Sequence, residues 1–482
     1  MFHKRISQIG AAACLILLAA AVLFVVNRLA PVPQQRTQAT AAQVALANAT
    51  EEATPTQRPA AQAALAIVSQ SHYKDSSGNF HVVGELKNGG TRALTRLELT
   101  VTIQDASGKS LLKDSHSNVV DSLTFSPMLD TLAPNESSPF DYTLSSNAGA
   151  PDKWTVTIIG QNTAEVTRPQ YEVKNTQMKP NGSGGFFITG EIYNKSNTTE
   201  IVIHNLAGAV LDQDKKIVAA NTSSDYALFL TTAGSSSGKD STPFRIDVDN
   251  PGGSPDQFAT YLDVEAAQPG AVTPYAHDTR LDITNHYFDE KNQYHLVGTV
   301  TNNSQELLTT VLVGGLYDKN GVVLDACSTS IVVNIAPGET IPYDVNTFSN
   351  VSTNSDEAAR LDHYTVQLDP YNTFPSSVQS ILPKFLGDTY EKNGDTWSFS
   401  GMVGNDSNQF LTDERVIVEV FDENNTLVAV GSETLTSGGD SVLCDNCIFK
   451  GQAISYKIDI YLKLGVDSSK FTYKTLVKGS IK

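Results

Sequence analysis

Four times along the chain a short segment alternates apolar and polar residues about a central glycine and reaches asparagine four residues later. The segments are FHVVGELKN from Phe80, FFITGEIYN from Phe186, YHLVGTVTN from Tyr294 and WSFSGMVGN from Trp397. The residue two before the glycine is Val82, Ile188, Leu296 or Phe399, and the residue two after it is Leu86, Ile192, Val300 or Val403. Side chains alternate faces along a strand, so this spacing predicts a strand with one face in a core. Glycine weakens a strand interior unless another group comes close. Gly84, Gly190, Gly298 and Gly401 are therefore structural repeat positions. At Gly298 the expected neighbour is an aromatic of the closing strand, crossing the core from the facing sheet. Asn88, Asn194, Asn302 and Asn405 are the second repeat position. Asn302 is expected to hydrogen-bond the backbone as the strand turns outward.

The pattern continues beyond these strands. An apolar run ends in Asp105, Asp212, Asp318 or Asp422, followed by residues suited to a tight hairpin. A small residue then precedes an aromatic at Phe140, Phe244, Tyr343 and Tyr456, and each unit closes on a strand begun by Trp154, Tyr261, Tyr364 or Phe471. Each unit has about 100 residues, several short strands and no long 3.6-residue periodicity, which predicts an all-β protein of four tandem immunoglobulin-like β-sandwiches. No Cys…Trp…Cys core spans a unit. The expected boundaries are 67–165, 168–268, 278–370 and 379–482, joined by short polar or proline-bearing connectors into a jointed rod. The order Gly-x-apolar-x-Asn, apolar-aromatic-Asp-x-x-Gly, Pro-Gly-Glu-x-x-Pro-aromatic resembles the FxLYD-type domain of exported prokaryotic proteins. The third unit carries it best, through Gly298, Asn302, Leu316, Tyr317, Asp318, Gly321, Pro337, Gly338, Glu339, Pro342 and Tyr343. The eponymous Phe is replaced by Val101, Gly208, Gly314 and Val418. The resemblance implies an extracytoplasmic β-sandwich and brings no catalytic activity.

The N-terminus changes the picture from fold to location. Lys4 and Arg5 precede an uncharged apolar run from Ile9 to Val26, long enough at about 1.5 Å per residue to cross a bilayer as a helix. The expected organisation is a cytoplasmic tail at 1–8, a transmembrane signal-anchor at 9–28 and an Ala/Thr/Gln/Pro-rich tether at 29–66. The alternative for the apolar run is a cleaved signal peptide. With an uncleaved anchor the remainder lies outside the cytoplasm, following the positive-inside tendency. A net charge of −18 without a basic stripe argues against nucleic acid as a partner.

Candidate chemistry is sparse. The nine histidines show no metal-binding spacing. His81 and His295 share one repeat position, which strand parity turns away from the core and, on that reading, toward solvent. No nucleophile elbow, Walker loop or dinucleotide fingerprint occurs, so neither catalytic residues nor a cofactor is expected. Cys444 and Cys447 are expected to form a local disulfide outside the cell, and Cys327 to be a lone buried thiol. The acidic turn DVDNPGGSPD from Asp247 lacks the EF-hand order; it reads more simply as a turn than as a calcium site. The expected role is adhesion or envelope scaffolding without catalysis. The alternative is capture of carbohydrate or peptide by loops or a sheet edge, for which Tyr226 and Phe229 are candidate exposed aromatics.

Overall fold

The computed structural model describes residues 65–481, apart from 183, 236–238, 253–254, 256, 268–278, 354, 373–378, 382, 394–395, 436–447 and 464–467. The tail, the anchor, nearly all of the tether and the Cys444–Cys447 pair therefore lie outside the described residues. Among the described residues no helix is long and apolar enough to cross a membrane.

Strands dominate, and one order of them recurs. In the first unit a three-stranded antiparallel sheet runs first strand Leu65–Lys74, glycine strand Phe80–Asn88, aromatic strand Ser137–Leu144. The first strand thus begins inside the stretch read as tether. Facing this sheet, the central strand Ala93–Gln104 pairs with the closing strand Lys153–Ala164 on one side and short segments Leu123–Phe125 and Thr131–Leu132 on the other.

The second unit repeats the three-stranded sheet as Tyr171–Pro180, Phe186–Asn194 and Ser241–Val248. Its central strand Ile201–Leu211 lies between a turn-back strand, Ile217–Ser223, and the closing strand Gln257–Ala266. The third unit has Thr279–Phe288, Tyr294–Asn302 and Thr340–Val345, with Leu308–Asp318 between Val323–Ile335 and Leu361–Asn372. The fourth has Lys384–Asn393, Thr396–Gly404 and Ala453–Tyr461, with Leu411–Phe421 between Leu427–Thr434 and Thr472–Ile481.

Inward residues of both sheets meet in a common core. In the first unit Val82, Leu86 and Phe140 of one sheet pack with Leu99, Val101 and Ile103 of the other. The hairpins are set by aspartate. Oδ1 of Asp105, Asp212, Asp318 and Asp422 each accepts two backbone N–H groups, two and four residues on. An Asx-turn of this kind holds the chain reversal without help from the core.

The repeated glycine has a different neighbour from the expected one. Gly84, Gly190, Gly298 and Gly401 lie directly across from Phe140, Phe244, Tyr343 and Tyr456 of the adjacent aromatic strand, in the same sheet. The first strand breaks register beside each of them, between Ile67 and Ser69, Lys174 and Gln177, Ile283 and Asn285, and Phe385 and Asp388. A Cβ on Gly298 would stand 2.0 Å from the Asp282 carbonyl oxygen and 2.5 Å from Tyr343 Oη. On Gly84 it would stand 2.2 Å from the Ser69 carbonyl oxygen and 2.5 Å from Phe140 Cζ. At Gly84, Gly298 and Gly401 a bulged carbonyl from one side and an aromatic ring from the other fill the place of a side chain; at Gly190 the Thr176 side chain takes the carbonyl's part.

The asparagine does what its position suggests. Asn302 Nδ2 donates to the Glu306 and Ile335 carbonyls at 2.7 and 2.8 Å, and its Oδ1 accepts from Ser304 N at 2.9 Å. Asn88, Asn194 and Asn405 bond the same way to Arg92 and Leu132, Thr199 and Thr231, and Gln409 and Ile448. All four are buried. Each ties the end of the glycine strand to the opposite sheet.

Candidate functional site

The outer face of the three-stranded sheet carries the chemistry. It is covered in the first three units. The turn-back strand of the following unit lies across it: Ile217–Ser223 on the first unit, Val323–Ile335 on the second, Leu427–Thr434 on the third. The residue before each glycine, Val83, Thr189 or Val297, is consequently buried. Each contact uses the first residues of the turn-back strand. Ser71 Oγ donates to the Ile217 carbonyl at 2.8 Å, Gln177 Nε2 and Thr189 Oγ1 to the Val323 carbonyl at 2.6 and 2.7 Å, and Thr284 Oγ1 to the Leu427 carbonyl at 3.0 Å. The units are docked faces, not beads on free connectors. The connector residue Arg168 is itself bound, to Glu136 of the first unit and to Asp263 and the Val264 carbonyl of the second.

His81 and His295 sit in these joints. Parity does turn them away from their own cores, but each is only 5% exposed, because the next unit covers them. His81 Nδ1 lies 2.9 Å from Asp141 Oδ2, and its Nε2 lies 3.5 Å from Asp75 Oδ2. His295 repeats this with Asp344 at 2.8 Å and Asp289 at 3.4 Å. A tyrosine ring stacks on each imidazole, Tyr73 at 4.4 Å and Tyr287 at 4.7 Å between centroids. Burial alone would lower both histidine pKa values; the flanking carboxylates outweigh it and hold both above the ordinary value.

The middle joint uses a permanent charge. Phe187 replaces the histidine, and Arg245 replaces the aspartate after the aromatic. Its guanidinium lies over the Phe187 ring and pairs with Asp325 of the third unit at 2.8 Å and Asp225 at 3.2 Å. Asp325 is fully buried, and its Oδ2 also accepts from the N–H groups of Ser349, Asn350 and Val351. In the fourth unit the same two positions hold Ser398 and Lys457, and Ser400 and Met402 beside them are exposed.

Several expected residues fall elsewhere. Tyr226 is buried in the second unit's core and Phe229 is half-buried, so neither is an exposed loop aromatic. Among the described residues the exposed large aromatics are Phe385, Tyr390 and Phe410, all in the fourth unit. Cys327 is a buried thiol without a disulfide. Asp249, inside the acidic turn, reaches the His81 cluster of the first unit. A signal for the joints was present in the sequence: aspartate follows the aromatic in the two units with histidine, at Asp141 and Asp344, while the two units without it carry Arg245 and Lys457 there.

Compared with protein-family models and with curated proteins, the sequence has no match. Among solved structures it is distantly similar to Escherichia coli alpha-2-macroglobulin activated by porcine elastase. That match has 10% identity and a TM-score of 0.13, covering 85% of this chain and 53% of that one. The native conformation of the same E. coli protein gives 9% identity and a TM-score of 0.11, covering 83% and 28%. The chain thus spans about half or less of those proteins, and likeness at this level carries no argument.

Proposed function

We propose that this protein is a membrane-anchored, extracytoplasmic scaffold or adhesion spacer without catalytic activity. In this reading it is built from four tandem immunoglobulin-like sandwiches of the FxLYD-like kind. The supporting observation is the joint: the same face docks on the same strand three times, with Ser71, Thr189 and Thr284 bonded to the first carbonyl of the neighbour's turn-back strand and Arg245 paired with Asp325 across the middle joint. A histidine whose two ring nitrogens face carboxylates beneath a neighbouring unit is poorly placed as a general base. Proteins that span distance need such fixed relations between domains, whereas a free linker would dissipate them. The test is protease shaving of intact cells. The chain beyond residue 66 is expected to be cut under conditions that cleave a known surface protein; its protection would overturn the outward topology.

A second reading, recognition of carbohydrate or peptide, is favoured by one observation: the exposed Phe385, Tyr390 and Phe410 of the fourth unit. Aromatics of this kind form flat contacts with sugars and peptides. Glycan and peptide array screening of the full chain separates the two readings, with reproducible binding supporting recognition and its absence leaving the spacer role.

A further inference from the structure

We propose that Asp75, His81 and Asp249 form a divalent transition-metal site that ties the first unit to the second. One donor atom from each residue lies within 4.8 Å of the others. A tetrahedral ion with bonds of about 2.0–2.2 Å places its ligands roughly 3.3 Å apart. The 3.5 Å between His81 Nε2 and Asp75 Oδ2 matches that spacing with almost no adjustment.

The surrounding groups are arranged as a metal site needs. His81 Nδ1 faces both oxygens of Asp141, at 3.0 and 2.9 Å. The Nδ1–H therefore donates to that carboxylate, and the Nε2 lone pair is turned toward Asp75 and Asp249. This carboxylate–histidine arrangement fixes the tautomer and strengthens the free nitrogen as a ligand. Asp75 is equally constrained. Its Oδ1 accepts from Ser77 N and Asn79 N at 2.9 and 2.8 Å, and its Oδ2 from Asn79 Nδ2 at 2.8 Å. Three carboxylates, Asp75, Asp141 and Asp249, thus surround one imidazole, and a proton on that ring leaves an excess of negative charge that a divalent cation neutralises. One nitrogen and two carboxylate donors suit zinc, cobalt or manganese better than calcium or magnesium, which take all-oxygen sets.

The third joint is an internal control. His295 has the same Nδ1 carboxylate, Asp344, and the same turn aspartate, Asp289. Counting five residues from the aromatic opposite the glycine, Asp249 of the second unit corresponds to Tyr461 of the fourth. There the Lys291 ammonium lies 3.5 Å from the Tyr461 ring centroid, and among the described residues no third ligand joins the pair. The third joint has the histidine and lacks the site. What the first joint adds is one carboxylate delivered by its neighbour.

The test uses the full chain, stripped of metal and titrated with zinc by calorimetry and with cobalt by visible absorption. A variant carrying Cys444→Ser and Cys447→Ser removes thiol ligands from the readout. One ion per chain is expected, with slowed amide exchange in strand Ile217–Ser223 on binding. Asp249→Asn should weaken binding about tenfold or more, with the metal-free melting unchanged because Asp249 is exposed. His81→Gln should abolish it, and Asp289→Asn in the third unit should leave it intact. Absence of zinc binding at micromolar concentrations, or full affinity in Asp249→Asn, overturns the proposal. Because Asp249→Asn leaves the first unit untouched, the result stands even if His81→Gln fails to fold.

Discussion

Gly298 marks a place where three strands compete for one volume. The Asp282 carbonyl and the Tyr343 ring already occupy the space of a Cβ. Gly298→Ala should therefore destabilise the third unit by about 1–3 kcal/mol, the usual cost of overpacking. Gly404→Ala is the matched control: its added carbon finds nothing nearer than 3.4 Å, and it should change stability by no more than about 0.5 kcal/mol. Urea denaturation of the two variants checks the pair, and equal midpoints would sink the explanation. The alternation of the glycine strand and the role of Asn302 were legible in sequence because both are local: parity fixes the face, and an asparagine at a strand end has carbonyls within reach. The partner of the glycine was not legible. Choosing between Tyr343 and Tyr364 requires knowing which strand lies beside and which lies across, and that is a matter of pairing, not spacing.

At the scale of strands, the joints hold different kinds of charge, and this separates their behaviour. Arg245→Met leaves Asp325 buried without its cation, and loss of one partner of a buried pair costs about 3–5 kcal/mol. In that variant Asp325 keeps its backbone donors, whereas replacing both residues by apolar ones also leaves the Ser349, Asn350 and Val351 N–H groups without their acceptor, so the double variant should be no more stable than the single. Thermal melting of the single and double variants tests this ordering. The third unit should respond to pH. His295 has a folded-state pKa above its ordinary 6.5, so its contribution is complete below about 6.5 and is lost as pH rises through the folded value. The groups facing it are Asp344, Asp289 and Tyr287 of its own unit. Arg415, Glu433, Lys457 and Asp459 of the fourth unit line the same cleft of about 490 Å³. Amide exchange in the third unit's own strand Tyr294–Asn302, corrected for intrinsic rates, should accelerate across that window, while Phe186–Asn194 of the second unit, with Phe187 in place of the histidine, stays unchanged. Parallel behaviour of the two strands would refute the distinction.

At the scale of the whole chain, docking makes neighbours share cores. Val297 and Tyr343 of the third unit belong to one apolar cluster with Val416, Val430 and Ile458 of the fourth. The two units should therefore melt in a single calorimetric transition, and Val297→Asp, which buries a charge in the joint, should split it in two. Two resolved transitions in the unaltered protein would show that the joint does not couple them. Where the earlier units place Val83, Thr189 and Val297 beneath a neighbour, the fourth places Ser400 in solvent.

The sequence by itself determined the strands, the turns and the fourfold recurrence, because apolar alternation and Asx-turns act over a few residues. Tertiary structure alone decided what the outward faces meet. His81 and His295 carry the same parity as any solvent-facing strand residue; only the placement of the next unit's turn-back strand converts them into buried residues. Asp249 lies 168 residues from His81 along the chain, yet docking brings its carboxylate to the same few ångströms of space. Burial at a joint is a property of two surfaces together: the pairing of histidine with aspartate on one surface was legible, and the neighbour that covers it was not.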